Sequence, residues 1–527
     1  MKILSFKPGH DGSISYIKDS KLIFSHEAEK GSGFRYCNIT TECIIEALST
    51  INDAPDIIAL SGWSSGNNPH NHDIGAGYFG LELTKPVKMN FLKHDVFYFT
   101  SSHERSHLLC AYGMSPFRQG KPCYALIWEG HIGSFYYIDQ HVRIKKLADI
   151  IPDIGIRYAF SYGIADKTFP FTQGQVRLGD AGKIMALAAY CNREEISAQD
   201  DELISYLLST PLSYEKLCKN QFVKSHLYNI GVESDVFKQF TGYLTDAIFA
   251  KFYTEVKKIV SKKLPLLISG GCGLNCDWNS KWLNCDLFDD VFIPPCTNDS
   301  GSAIGTAIDA QYYFTGNAKI DWSVYCGQIF NNDVIDIVGL KYEKLEYPNV
   351  AYALAKGAVI GWVNGKAEIG PRALGNRSIL AAPFSKTTLM RLNTIKNRES
   401  FRPIAPICLQ SDALKYFDLK KPSPHMLFFS HVLDSCLQAI THVDSSSRPQ
   451  TVNSEQNNNI YQLILAFKKI TDYGVLCNTS LNFNGKGFIN KTSELAEYMQ
   501  QRGLDGFVVN DRFYTKKHSH ENNKKSF

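Results

Sequence analysis

The chain has 527 residues, of which 44% are hydrophobic and 20% charged, with a formal net charge of +4 and a pI near 8.2. That length exceeds one ordinary core, so two or more domains are expected. The mildly basic balance does not by itself demand a nucleic-acid partner. No stretch approaches the roughly 18 apolar residues of a spanning helix, and Met1–Phe6 has no apolar signal region, so a cytoplasmic protein is expected. Fourteen scattered cysteines without a CxxC pair read as small buried hydrophobes in a reducing compartment.

In chain order, strands are expected at Lys2–Lys7, Ile14–Ile17 and Leu22–His26. The first turn between them, Pro8-Gly9-His10-Asp11-Gly12-Ser13, has the residues for tight backbone beside a ligand. Within it His10, next to Asp11, is placed to serve as a general base, since imidazole titrates near neutral pH. A helix follows at Thr41–Ile51 and a strand at Asp56–Trp63.

His103-Glu104-Arg105-Ser106-His107 spells HExxH, and two histidines four residues apart on a helix share one face and can reach one metal. The zinc-peptidase reading, with Glu104 as base, is disfavoured because nothing close downstream supplies a third helical ligand. A metal held by His103, His107 and a distant carboxylate is the better reading. Strands are expected at Ala125–Trp128 and Ser134–Ile138, then a long helix at Ser234–Lys262. A buried strand, Leu264–Ser269, runs into Gly270-Gly271-Cys272-Gly273-Leu274-Asn275, whose glycines let backbone approach a nucleotide. Strand Asp290–Pro294 leads through Asn298-Asp299-Ser300-Gly301 into a helix at Ser302–Tyr313. Asp299 is the natural third ligand, at a helix start where backbone N–H groups also meet anions. Two histidines and a carboxylate leave open positions on Fe²⁺, Mn²⁺ or Zn²⁺ that a phosphate oxygen can fill. Strands alternating with helices argue an α/β fold.

The pattern loosens after Trp322, and a domain boundary is expected at about residue 330. Helix Val350–Lys356 and strand Ala358–Val363 open the second domain, and Ser454–Asn459 reads as a polar loop. No internal repeat stands out. From Arg372 to Arg402 seven basic residues (Arg372, Arg377, Lys386, Arg391, Lys396, Arg398, Arg402) face one acid, Glu399. A basic stretch ordinarily just covers a surface. Here Gly-Pro and Arg-Pro punctuation holds arginine forks close together, which suits bidentate binding of phosphate or carboxylate oxygens.

Over nearly its whole length the chain resembles the O-carbamoyltransferases, the family of the tobramycin, novobiocin, cephamycin and nodulation-factor carbamoyltransferases. The resemblance rests on Gly370–Leu380 (GPRALGNRSIL), Lys396–Pro406 (KNRESFRPIAP), Thr441–Val452 (THVDSSSRPQTV) and Asn478–Asn482 (NTSLN). It implies an actin-like N-terminal domain, of the ASKHA type used in tRNA threonylcarbamoylation, over residues 1–330. A YrdC-like α/β domain over 331–527 would follow. In the second domain carbamoyl phosphate and ATP, with Mg²⁺, would give carbamoyl-adenylate. Lys396, Arg402, Arg448 and Ser480 would be the contacts there, with Arg372, Arg377 and Asn478 beside them. In the first domain Asp11, Glu129, Lys183, Gly270, Gly271 and Asn275 would bind the adenylate at a divalent metal, Fe²⁺ for preference, on His103, His107 and Asp299. His10 would deprotonate the acceptor hydroxyl, AMP would leave, and a closed passage between the domains would shield the labile intermediate. The family often has Asp-Gly where this chain has Glu129-Gly130.

The implied acceptor is a hydroxyl of a sugar or secondary metabolite, with no membrane partner and with a homodimer allowed. A hydroxymethyl-pyrimidine in DNA (hydroxymethylcytosine), as in viral base modification, is the alternative acceptor, motivated by the pI and the basic stretch Lys516–Lys525. Threonylcarbamoyl transfer to tRNA is disfavoured by the motifs above. A non-catalytic nucleotide-binding protein is disfavoured by the intact His10, His103, His107, Asp299, Lys396 and Arg402.

Overall fold

In the computed structural model residues 1–31, 33–64, 73–209 and 214–517 are described. They divide into two units, Met1–Ala28 with Tyr36–Ser323, and Glu29–Arg35 with Val324–Phe527. A single expected boundary near 330 leaves out the excursion of Glu29–Arg35 into the second unit. The basic stretch from residue 518 onward lies outside the described residues.

The first unit is built on two sheets. One contains Lys2–Lys7 (β1), Ser13–Lys18 (β2), Lys21–Glu27 (β3), Ile57–Ser61 (β4), Val87–Phe91 (β5) and His94–Ser101 (β6), in the order β3-β2-β1-β4-β6-β5. The other contains Cys123–Trp128 (β7), Gly133–Ile138 (β8), Ile144–Asp149 (β9), Leu264–Ser269 (β10) and Phe288–Phe292 (β11), in the order β9-β8-β7-β10-β11. In each sheet an antiparallel three-strand meander is followed by two strands parallel to its first. The same topology is therefore used twice, although no repeat is visible in the residues. The central strands β7 and β10 are buried nearly throughout, as expected where both faces of a parallel region are covered.

Corresponding loops at the carboxyl ends of corresponding strands hold the candidate site residues, which is where open α/β sheets bind ligands. After β1 comes the His10-Asp11-Gly12 turn, and after β7 comes Glu129-Gly130-His131. After β6 comes the helix His103–Met114 (α2); after β11 comes the Asp299 turn and the helix Ser302–Thr315 (α5). Three further helices of this unit are Thr41–Ser49 (α1), Ile154–Ala165 (α3) and Asp235–Ile259 (α4). Helix α2 is buried along its entire length. It packs on α5 closely enough that a Cβ at Gly305 would stand 1.8 Å from the Ser106 carbonyl oxygen. Only glycine fits there.

The second unit is an eight-stranded mixed sheet. Its strands are Leu340–Lys344 (β12), Ile360–Val363 (β13), Arg377–Ala381 (β14), Ala405–Leu409 (β15), Gln450–Val452 (β16), Val475–Ser480 (β17), Gly506–Val509 (β18) and Arg512–Lys516 (β19). Their order is β12-β19-β18-β13-β14-β17-β15-β16. Helices Lys386–Ile395 (α6), Asn458–Thr471 (α7) and Thr492–Arg502 (α8) accompany it. The expected polar loop at Ser454–Asn459 ends in Asn457, whose side chain accepts from the Ile460 N–H and caps α7. Strand β11 lies two residues before the expected Asp290–Pro294. Among the described residues no helix is long and apolar enough to cross a membrane.

Candidate metal centre and anion cradle

Ser102 starts α2 by accepting from the Arg105 N–H at 3.0 Å, so His103 and His107 stack one turn apart on its inner face. The Asp299 turn, before α5, presents its carboxylate to them. The fourth member is Glu129, at the end of β7. The ligand atoms of His103, His107, Glu129 and Asp299 all lie within 4.8 Å of one another, and all four residues are buried. His103 Nε2 is 3.2 Å from His107 Nε2 and 3.3 Å from Glu129 Oε2. Asp299 Oδ1 is 3.3 Å from His107 Nε2 and 3.7 Å from that of His103. Ligand atoms bound about 2.1 Å from one ion stand about 3 to 3.5 Å apart. The set therefore fits a divalent cation with two imidazoles and two carboxylates. His107 Nδ1 is 3.0 Å from Ser269 Oγ, which leaves Nε2 free to point a lone pair inward.

Lys7, at the end of β1, sits 3.1 Å from Asp299 Oδ2. Burial works against the Asp299 carboxylate, yet Lys7, His103 and His10 hold its pKa well below the ordinary value. Burial pulls His103 downward, against Asp299 and Glu129, toward the neutral, ligating form. His10 is 3.1 Å from Asp11 through Nδ1 and 3.7 Å from Asp299 Oδ2 through Nε2. Burial lowers the His10 pKa, but Asp299 and Asp11 outweigh it and the net shift is upward. Trp63 lies edge-on to both His10 and His103, each with ring centroids 5.0 Å apart. Gly9, at φ +79°, has no Cβ to strike that indole, which would otherwise be 2.3 Å away.

The structure thus brings His10, Asp11, His103, His107, Glu129 and Asp299 together. Gly270 backs onto Glu129, and beside it a Cβ on Gly271 would meet open space. Lys183 pairs with Asp180 at 3.0 Å over the Tyr162 ring. Asn275 accepts from the N–H groups of Asp277 and Trp278 as a helix cap. Glu104 is not a member of the cluster. It accepts from the Tyr136 hydroxyl at 2.6 Å and the Gly80 N–H at 2.8 Å and pairs with Lys146 at 2.9 Å.

In the second unit the buried Lys396 donates to the Ser480 carbonyl and Asn482 Oδ1, both at 2.5 Å. Burial, then Arg398, Arg35, Arg402 and Arg502, push its pKa well down. Burial, Arg402 and Arg448 likewise work against Arg398. Arg402 has Glu399 at 3.6 Å, one carboxylate among many cations. A buried lysine among partly buried, mutually repelling arginines is an arrangement that suits an anion, since a bound phosphate would relieve the repulsion. Asn478 donates to Gln450 Oε1 at 3.1 Å and to the Ala373 carbonyl at 3.2 Å, tying β17 to the arginine loop.

Arg372 lies in that loop, which folds around a buried carboxylate missed in the residue pattern. Glu368 Oε1 accepts the N–H groups of Leu374 and Asn376 at 2.7 Å and of Arg377 at 3.2 Å. Arg377 does not face an open site. It is fully buried, and its guanidinium is spent on the carbonyls of Asn364, Asn376 and Gln328 and on Asn490 Oδ1. Arg35 and Lys30 were also missed, because a segment so early in the chain carries no sign that it joins a distant domain. Lys30 donates to the Gly370 carbonyl at 2.7 Å, which anchors the segment against the arginine loop.

Models described as carbamoyltransferase N-terminus and carbamoyltransferase C-terminus match residues 79–308 and 351–516. The chain is 45% identical over 516 residues to a 3'-hydroxymethylcephem-O-carbamoyltransferase of Amycolatopsis lactamdurans, covering 98% of this chain and 99% of that one. It is 43% identical over 517 residues to the protein of the same name from Streptomyces clavuligerus, with the same coverage. Nodulation protein U of Bradyrhizobium diazoefficiens is 30% identical over 540 residues, 93% of each chain. Likeness to solved structures is weak. An archaeal actin homolog, Ta0583, reaches 12% identity and a TM-score of 0.30 over 59% of this chain and all of that one.

Proposed function

The chain belongs to the carbamoyltransferase family, and we propose that it carries a carbamoyl group from carbamoyl phosphate to an acceptor hydroxyl through a carbamoyl-adenylate. The first unit is read as actin-like, on the strength of its duplicated sheets. The second is read as YrdC-like, on its mixed sheet and cation cradle.

In the second unit Lys396, Arg402 and Arg448, with Arg398 and Arg35, hold the anionic co-substrates. Carbamoyl phosphate loses its phosphate to water, and the carbamate oxygen attacks the α-phosphorus of ATP. Carbamoyl-adenylate forms and pyrophosphate leaves. Clustered cations neutralise the charge that develops on the leaving groups. In the first unit His10 takes the acceptor's hydroxyl proton, the oxygen attacks the carbamoyl carbon, and the bond to AMP breaks. His103, His107, Glu129 and Asp299 would hold a divalent cation, which when bound polarises the acyl phosphate as a Lewis acid. Iron(II) suits the two-histidine, carboxylate donor set.

The observation that carries this reading is the pairing, in a member of this family, of a buried His-His-Glu-Asp cluster in one unit with a cluster of repelling cations in the other. The acceptor proposed is a primary hydroxymethyl group on a small ring, with the hydroxymethylcephem named in the two relatives as the first compound to try. Purified protein with a divalent metal, ATP and carbamoyl phosphate should add one carbamoyl group to such an acceptor, read by mass spectrometry. The same screen includes sugars and hydroxymethylated DNA. Transfer to DNA alone would replace the small acceptor, and no AMP formation with any acceptor would remove the adenylate route.

A further inference from the structure

Lys7 has no part in the chemistry above, yet its side chain is 0% exposed. A buried ammonium costs several kcal/mol unless it is paired and hydrogen-bonded. Its partners are specific. The amine is 3.1 Å from Asp299 Oδ2, donates to the His10 carbonyl, and lies 3.8 Å from the centroid of the Trp63 ring. The two oxygens of Asp299 are thereby divided. Oδ1 faces His107 and His103 at 3.3 and 3.7 Å, while Oδ2 faces Lys7 and, at 3.7 Å, His10 Nε2.

We propose that Lys7 is a positioning residue that keeps Asp299 to a single metal-facing oxygen and ties the His10 turn to that same carboxylate. The inference rests on the metal reading of the four-residue cluster. A carboxylate with both oxygens available can close on a cation in bidentate fashion and fill the position that a substrate oxygen needs. The Lys7 ammonium opposes this by holding Oδ2 in an ion pair at 3.1 Å. Its positive charge also opposes a nearby cation. Removing Lys7 should therefore tighten metal binding while impairing the reaction. A residue that merely supported the fold would do the reverse, since its loss would loosen the metal.

The test compares the full-length parent, Lys7→Met and Lys7→Arg, each loaded with iron(II) or cobalt(II), by metal content and by release to a chelator. The expected result for Lys7→Met is release slowed about tenfold with kcat lowered about tenfold or more. Lys7→Arg, which keeps the charge, should release metal much as the parent does. Faster release from Lys7→Met overturns the proposal. A parent that retains no metal would instead remove the metal reading on which it rests. Should Lys7→Met fail to fold, Lys7→Gln carries the same expectation. Independently of any variant, a metal-bound parent structure with both Asp299 oxygens on the ion would contradict the inference.

Discussion

Asp299 and His10 share one carboxylate oxygen's neighbourhood, and that has a consequence for pH. A general base acts in its neutral form, and Asp299 and Asp11 raise the His10 pKa above 6.5. The acid limb of kcat/KM for transfer should therefore have a midpoint above 6.5, with activity lost as pH falls through it. His10→Asn should abolish that limb and lower kcat by about 10² to 10⁴. An unaltered limb in the variant would place the base elsewhere. The arginines divide in a similar way. Arg402 is half-buried beside a single glutamate, so Arg402→Ala should raise the KM for carbamoyl phosphate. Arg377 spends its donors on carbonyls, so Arg377→Ala should lower the unfolding temperature, leaving several buried acceptors unmet. Nothing in the residue pattern separates these two arginines, since both sit in the same basic block. Lys7 was equally hard to see, because a lysine ending a strand ordinarily reads as a solvent-facing edge.

Helix α2 carries both imidazoles, and its placement depends on α5. A methyl group at position 305 would stand only 1.8 Å from a backbone oxygen, so Gly305→Ala forces the two helices apart. Overpacking of this kind costs about 1 to 3 kcal/mol, and it should also weaken metal retention. Ser102→Ala removes the cap, at a cost of about 1 kcal/mol, together with the hydroxyl's bond to the Gly80 carbonyl, and both variants are read by urea unfolding. Metal retention unchanged in Gly305→Ala would mean that α2 is not positioned by this crossing. This helix was legible because its signals are local: a serine cap and two histidines at i and i+4. The Asp299 turn was legible for the same reason, as a strand running into a helix start. Glu129 reads from the sequence as a site residue but not as a neighbour of the histidine pair, because that placement follows only from where β7 ends relative to α2.

At the scale of the molecule, the repeated order of the two sheets was not legible. The extra strand β5 enlarges the first copy, and the residues between β9 and β10, including α3 and α4, enlarge the second. Sequence periodicity is lost while topology survives. The excursion of Glu29–Arg35 was hidden for a related reason, as spatial grouping need not follow chain order. The proposed route assigns one half-reaction to each unit. The measurement that tests this most directly follows pyrophosphate release and carbamoyl product together in Asp299→Ala and Lys396→Ala. Asp299→Ala should still release pyrophosphate from ATP when carbamoyl phosphate is present, yet form no carbamoylated acceptor. Lys396→Ala should release none but transfer the group from supplied carbamoyl-adenylate. Loss of both activities together in each folded variant would contradict the division of labour.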